Sequence, residues 1–180
     1  PAALATREAL GRVGAIVHSA GTVAQTGITG ATPDAFDSGM ALHVRALIQM
    51  VQAFAEDLKT NPGSAIVAIA SINAWFGSGL IPIYSAAKGA VISLVRSMAD
   101  ELGADGIRIN AISPGMIDTP IMGDGRAGMM QAFGPRIFAG RFGQPEEIGR
   151  VVRFLLSEEA SYITASEIVV DGGLRHSQRV

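Results

Sequence analysis

The chain has 180 residues, no cysteine, 14 basic against 16 acidic side chains, 48% hydrophobic residues and 22 glycines. A chain this long buries roughly two-thirds of its unfolded surface, which predicts one domain with one sizeable core over residues 1–180. A net charge of -2 without any basic run gives no electrostatic ground for a nucleic-acid or anionic-membrane partner. The absence of cysteine excludes disulfides and thiolate metal sites and fits a reducing cytoplasm, the expected location. The longest wholly apolar run, Ala65 to Ala70, is six residues against the about 18 needed to span a bilayer. The opening stretch Pro1 to Leu10 carries Arg7 and Glu8 and lacks the apolar centre of a signal peptide.

Apolar runs bounded by Gly, Pro and Ser alternate with longer segments of helical period. Ala2 to Leu10 predicts a short helix, and Val13 to Val17 a buried strand followed by Ser19-Ala20-Gly21 and a loop. Thr32-Pro33 supplies an N-cap and a first-turn proline, and Phe36, Met40, Leu47, Met50, Phe54 and Leu58 mark one face of a long helix running to Lys59. Ala65 to Ala70 is a strand. From Tyr84 to Leu102 apolar residues step by threes and fours down a second long helix, which Gly103 closes. Ile107 to Ile112 is a third strand, Pro145 to Leu156 a helix with Glu146 and Glu147 in its first turn, and Ile168 to Val170 a fourth strand. Continuous apolar strands alternating with helices predict the α/β class, a doubly wound parallel sheet of about four strands with helices on both faces. Met116 to Gly143 shows no clear pattern. It follows the C-terminal end of the third strand, where open α/β sheets bind ligands, and reads as a substrate lid in preference to a merely mobile loop.

In Tyr84-Ser85-Ala86-Ala87-Lys88 a phenol and an ammonium stand four residues apart on one helix face. A free tyrosine has a pKa of about 10, and a nearby positive charge favours the phenolate, so this tyrosine is placed to exchange protons with an alcohol or a carbonyl. Ser71 follows the second strand directly, at the end where parallel sheets place their sites, and its hydroxyl is a candidate to bond the same oxygen. Such a pair alone is weak evidence, because most are an amphipathic tyrosine beside a surface lysine.

Read together in order, the words His18-Ser19-Ala20-Gly21, Ser71, Tyr84-x-x-x-Lys88, Asn110-x-x-x-Pro114-Gly115, Gly143-x-Pro145-Glu146-Glu147 and Val170-Asp171-Gly172-Gly173 resemble the classical short-chain dehydrogenase/reductase family. The resemblance runs from Ala2 to the C-terminus. It implies a Rossmann-like fold and an NAD(P)-dependent oxidoreductase, with NAD or NADP as cofactor and a small carbonyl or alcohol as substrate. Tyr84 is then the catalytic acid/base, Lys88 lowers its pKa and holds the nicotinamide ribose, and Ser71 orients the carbonyl. Pro114, Gly115, Ile117 and Thr119 resemble the segment that holds the nicotinamide end, and Ala20 and Gly21 the turn that passes close to the cofactor. Ile72, Trp75, Phe76, Met116 and Met122 are expected around an apolar or partly apolar substrate, or equally in the core. The two long helices, Pro33 to Lys59 and Tyr84 to Leu102, imply a homodimer or homotetramer.

Two departures qualify the resemblance. At the position of the family's helix asparagine, part of its proton relay, stands His43. Three residues after Met40 and four before Leu47 it lies on the apolar face, as a core histidine does; the alternative is a catalytic imidazole in that relay, titrating near a reference value of about 6.5. His18 likewise replaces the first asparagine of the Asn-Asn-Ala-Gly word. Further, no Gly-x-x-x-Gly-x-Gly turn opens a helix to receive the cofactor pyrophosphate. Only the C-terminal portion of the family's fold is therefore expected, as a piece of a longer enzyme with Val13 to Val17 as an open edge. The rival is a truncated, non-catalytic module kept for assembly or binding. Neither a Gly-x-Ser-x-Gly elbow nor a metal-ligand spacing around His18, His43 or His176 is found, so hydrolase chemistry and a metal site are not expected. Halohydrin dehalogenases of this family pair their tyrosine with arginine, and enoyl reductases space tyrosine and lysine more widely. Tyr84-x-x-x-Lys88 fits carbonyl reduction or alcohol oxidation.

Overall fold

A computed structural model describes residues 2–178. Helix α1 (Ala2–Leu10) leads into strand β1 (Ala15–His18). Helix α2 (Pro33–Met40) begins as expected at Thr32, whose side-chain oxygen accepts from the Ala35 amide at 3.2 Å. The long helix expected from Pro33 to Lys59 is not uniform. Residues Ala41–Arg45 form a π-turn in which the Ala46 amide donates to the Ala41 carbonyl five residues back, and only then does α3 (Ala46–Thr60) resume α-helical pairing. The apolar spacing is unchanged by the one wide turn, so it carried no sign of it.

Strand β2 (Ala65–Ile69), the single-turn helix α4 (Asn73–Phe76), the 23-residue helix α5 (Pro82–Ala104) and strand β3 (Arg108–Pro114) follow. The segment read as patternless contains two 3-10 turns, Pro120–Gly125 and Gly134–Arg136, around helix α6 (Arg126–Phe133). Ala127, Met129, Met130, Gln131 and Ala132 favour helix strongly enough to outweigh Gly128. Helix α7 (Pro145–Leu156) starts with a capping box, Gln144 and Glu147 bonding each other's backbone, and β4 (Glu167–Val170) ends the sheet.

The four strands are parallel in the order β1-β2-β3-β4. Alternate residues serve opposite faces. Ile66, Ala68, Ile109 and Ala111 pack with Leu47, Leu58, Val91 and Val95 of α3 and α5, whereas Val67 and Ile112 pack with Leu155 of α7. Helices on both faces are what the continuous apolar runs predicted. Strand β1 corrects that reading at the edge. It is half-buried, with Ile16 and His18 facing the core while Val17 is 40% exposed, because it pairs with β2 alone and α7 packs on β2 and β3. Among the described residues, no helix is long and apolar enough to cross a membrane.

Candidate active site

Helix α5 begins at Pro82, so Tyr84 and Lys88 occupy its first two turns on one face. That face turns toward the C-terminal end of β2. Lys88 is buried, and its Nζ donates to the Ile69 carbonyl, the last residue of β2, at 2.7 Å. Among the described residues no carboxylate pairs with it. Burial without a counter-charge brings its pKa down to about 8.

Ser71 lies in the bend after β2. Its Oγ accepts from the Asn73 amide at 3.2 Å, which leaves the hydroxyl proton uncommitted on the side of the Tyr84 phenol. Burial pushes the phenol above its ordinary value, and the Ser71 hydroxyl pulls the other way. The resemblance implied a tyrosine lowered by its lysine. Here Lys88 Nζ lies 5.5 Å from the centre of the Tyr84 ring and makes no hydrogen bond to its oxygen, and burial is the larger influence on the phenol. Tyr84 is therefore a protonated acid at neutral pH.

A backbone bond from the Ile72 amide to the Pro114 carbonyl, 3.1 Å, ties this serine bend to the end of β3. From there the expected nicotinamide segment leaves the end of β3. Gly115 donates to Val170 and lies so close to Asp171 that a Cβ would stand 2.7 Å from its Cα. Ile117 bridges to Gly143 in parallel, and Thr119 Oγ1 reaches the Ile117 carbonyl at 3.5 Å. Asn110, buried within β3, bonds the Ile163 carbonyl and the Ser166 amide and so anchors β4 rather than reaching the site. A cleft of about 80 Å³ beside this segment is lined by Met116, Ile117, Arg141, Glu147 and Asp171 among others, without Ser71, Tyr84 or Lys88 in its walls.

Of the expected substrate contacts, Ile72, Met116 and Met122 come together. Ile72 is buried with Ile137, Phe142 and Leu174, and Met116, Met122, Met129 and Met130 pack against that group. Trp75 does not join them. It is half exposed, its Nε1 donates to Glu167 Oε1 at 2.7 Å, and the Arg175 guanidinium lies 4.6 Å from its ring centre. Phe76 is similarly exposed.

On the other side of Tyr84 sits His43, fully buried, its ring edge-on to the phenol with centroids 5.5 Å apart. Its Nε2 donates to the Thr22 carbonyl at 2.9 Å, and its own carbonyl accepts from His18 Nε2 at 3.0 Å. It makes no hydrogen bond to Tyr84 or Lys88. Ala20 and Gly21 lie on the exposed loop beside it, and a Cβ on Gly21 would come within 2.6 Å of His43 Cε1. The missing side chain at Gly21 thus makes room for an imidazole. Sequence reasoning missed Met129, Met130 and the Ile69 and Thr22 carbonyls. The two methionines were visible as apolar residues in the lid, but a backbone acceptor leaves no mark in composition or period.

Residues 2–175 match a family model described as enoyl-(acyl carrier protein) reductase. The chain is 38% identical over 168 residues to an uncharacterized short-chain type dehydrogenase/reductase of Sinorhizobium fredii, covering 90% of this chain and 30% of that protein. It is 34% identical over 169 residues to a 3alpha-hydroxysteroid dehydrogenase of Mediterraneibacter gnavus, covering 94% of this chain and 68% of that one. The solved structure of a short-chain dehydrogenase/reductase, glucose/ribitol dehydrogenase, from Brucella melitensis superposes with a TM-score of 0.90 at 28% identity, over 96% of this chain and 69% of that one. The chain thus spans from about a third to about two-thirds of the length of these relatives.

Proposed function

Because the chain belongs to the short-chain dehydrogenase/reductase family of oxidoreductases, we propose that it carries the active-site half of an NAD(P)-dependent enzyme interconverting a carbonyl and a secondary alcohol. The observation that carries this reading is that the Ser71 hydroxyl and the Tyr84 phenol stand together at the end of β2, beside a buried lysine without a carboxylate. Two hydroxyls converging at one place suit a single oxygen, as a carbonyl or alcohol presents. The Mediterraneibacter relative's name describes an enzyme that oxidises a steroid hydroxyl, which is chemistry of this kind.

In the reducing direction the carbonyl oxygen accepts from Ser71 Oγ and Tyr84 Oη, and Tyr84 gives its proton to that oxygen as the carbon becomes an alcohol. A bound nicotinamide supplies the hydride, or takes it in the reverse direction. The Ser71 hydroxyl then donates to the phenolate, and the charge of Lys88 near the ring favours that form. Lys88 also has N–H donors left after its one bond to Ile69, and a buried cation with spare donors fits the hydroxyl-bearing sugar of a dinucleotide. Lys88, Pro114, Gly115, Ile117 and Thr119, with Ala20 and Gly21, would hold that end of the cofactor. Residues 116–143 act as the substrate lid, with Ile72, Met116 and Met122 toward an apolar substrate. We place the enzyme in the cytoplasm as a homodimer or homotetramer formed through α3 and α5.

A second reading is a non-catalytic module kept for assembly or ligand binding. Fluorescence titration with NADH and NADPH separates the two, followed by assay over ketones and secondary alcohols. We expect saturable binding, and for Tyr84→Phe unchanged binding with turnover lower by about 10²–10⁴. Full turnover by Tyr84→Phe would remove the proposed acid, and no binding at millimolar cofactor would favour the module.

A further inference from the structure

Two fully buried histidines lie close together, one at the end of the edge strand and one inside the π-turn beside the Tyr84 ring. Both hydrogen bonds that define them run to backbone carbonyls, His18 Nε2 to His43 O at 3.0 Å and His43 Nε2 to Thr22 O at 2.9 Å. A carbonyl only accepts, so each Nε2 must carry the proton. The Thr22 amide also lies 3.4 Å from His43 Nε2, but the shorter contact to the carbonyl decides the tautomer. His43 Nδ1 is then a bare acceptor, buried and with no partner among the described residues.

We infer that His18 and His43 form a two-imidazole clasp that positions the Ala20–Gly21 loop and the Tyr84 ring relative to one another. His18 holds the π-turn to β1, and His43 holds the loop after β1 to the π-turn while its edge braces the phenol. Gly21 is pressed against the His43 ring, so the loop cannot shift toward Tyr84 without displacing the imidazole. Each bond of the clasp needs only the proton on Nε2, and the unpartnered burial of His43 Nδ1 favours the neutral ring there. A proton on His43 Nδ1 would be a buried donor with nothing to receive it, in the field of Lys88, and burial first and Lys88 next depress both imidazoles. They are positioning residues, since neither touches the hydroxyls that meet the substrate.

The tautomers test the clasp in the wild-type chain by nitrogen-15 NMR of the imidazoles. Both rings are expected in the neutral Nε2–H form at pH 7 and to stay neutral below pH 6.5, the ordinary midpoint. A cationic ring or an Nδ1–H tautomer at pH 7 in either residue overturns the assignment. The positioning role, which rests on the oxidoreductase reading, is tested by NADH titration of His18→Phe and His18→Gln. The phenylalanine variant removes the donor, whereas glutamine keeps one near the place of Nε2. We expect NADH affinity to fall about tenfold in His18→Phe, the equivalent of one hydrogen bond, and to recover in His18→Gln. Equal affinity in wild type and both variants, with only the melting temperature changed, would reduce the pair to a structural brace and overturn the role. If wild type itself binds no NADH, the oxidoreductase reading of this chain fails and its positioning role with it, while the tautomers still decide whether the clasp exists.

Discussion

The two walls that flank the proposed substrate position are built differently. On one side, α5 buries eight side chains, among them Ala87, Lys88, Val91 and Val95, and sets Tyr84 against β2 and the π-turn. On the other, the stretch from Pro120 to Arg136 has no buried side chain at all; its apolar contacts with the body are Met122, Met129 and Met130, and Arg126 pairs with Asp118 at its base. Reacting groups must hold their geometry to a fraction of an ångström, which packed helices and strands achieve. A cover that admits different molecules works better from weakly held elements and unbranched, adaptable methionines. On the proposed reading, the packed wall carries the chemistry and the loose one the selection.

The largest effect expected on the packed wall concerns Lys88. Its pKa falls from the ordinary 10.5 to about 8 on burial, so between those values the unfolded chain binds more protons than the folded one, and stability rises with pH. Below pH 8 the charged group costs the fold roughly 3 kcal/mol. Lys88→Met, similar in shape and uncharged, is therefore expected to raise the melting temperature at pH 7 and to flatten the climb in stability between pH 8 and 10. A variant no more stable than wild type at pH 7 would show that the ammonium finds compensation the packing does not suggest.

A smaller loss is expected where the clasp meets the loop. Gly21→Ala puts a methyl 2.6 Å from His43 Cε1, and such overpacking costs about 1–3 kcal/mol. Denaturant melts should show it, and unchanged stability would mean that the loop yields more easily than the packed wall beside it. The smallest effect lies in the lid. Gly128 is inside α6, and a Cβ there meets nothing within 4 Å. Gly128→Ala should add about 0.5–1 kcal/mol of helix stability, read as slower amide exchange confined to residues 126–133. Protection spreading to α5 would blur the distinction between the two walls.

Much of this arrangement is written locally. The Thr32-Pro33 cap, the apolar face of the second long helix, the start and end of Pro145–Leu156 and the one-turn spacing of Tyr84 and Lys88 depend on residues a few positions apart, and they appear in the structure as the sequence predicted. The lid's helix was obscured by glycines that its other residues outweigh. Trp75 is expected around the substrate or in the core, yet it is half exposed and its partners, Glu167 and Arg175, lie about a hundred residues further on.

By itself, then, the sequence determined the parallel α/β order and the face on which phenol, ammonium and serine meet, because side-chain period and strand-end position are set by backbone geometry over a few residues. Tertiary structure alone decided that Lys88 lies against the Ile69 carbonyl, that β1 is half open, that the helix widens at His43, and that His18 reaches across 25 residues to hold it. Those outcomes depend on how elements cross once they pack. Their acceptors are backbone carbonyls, which every residue carries and no residue type announces.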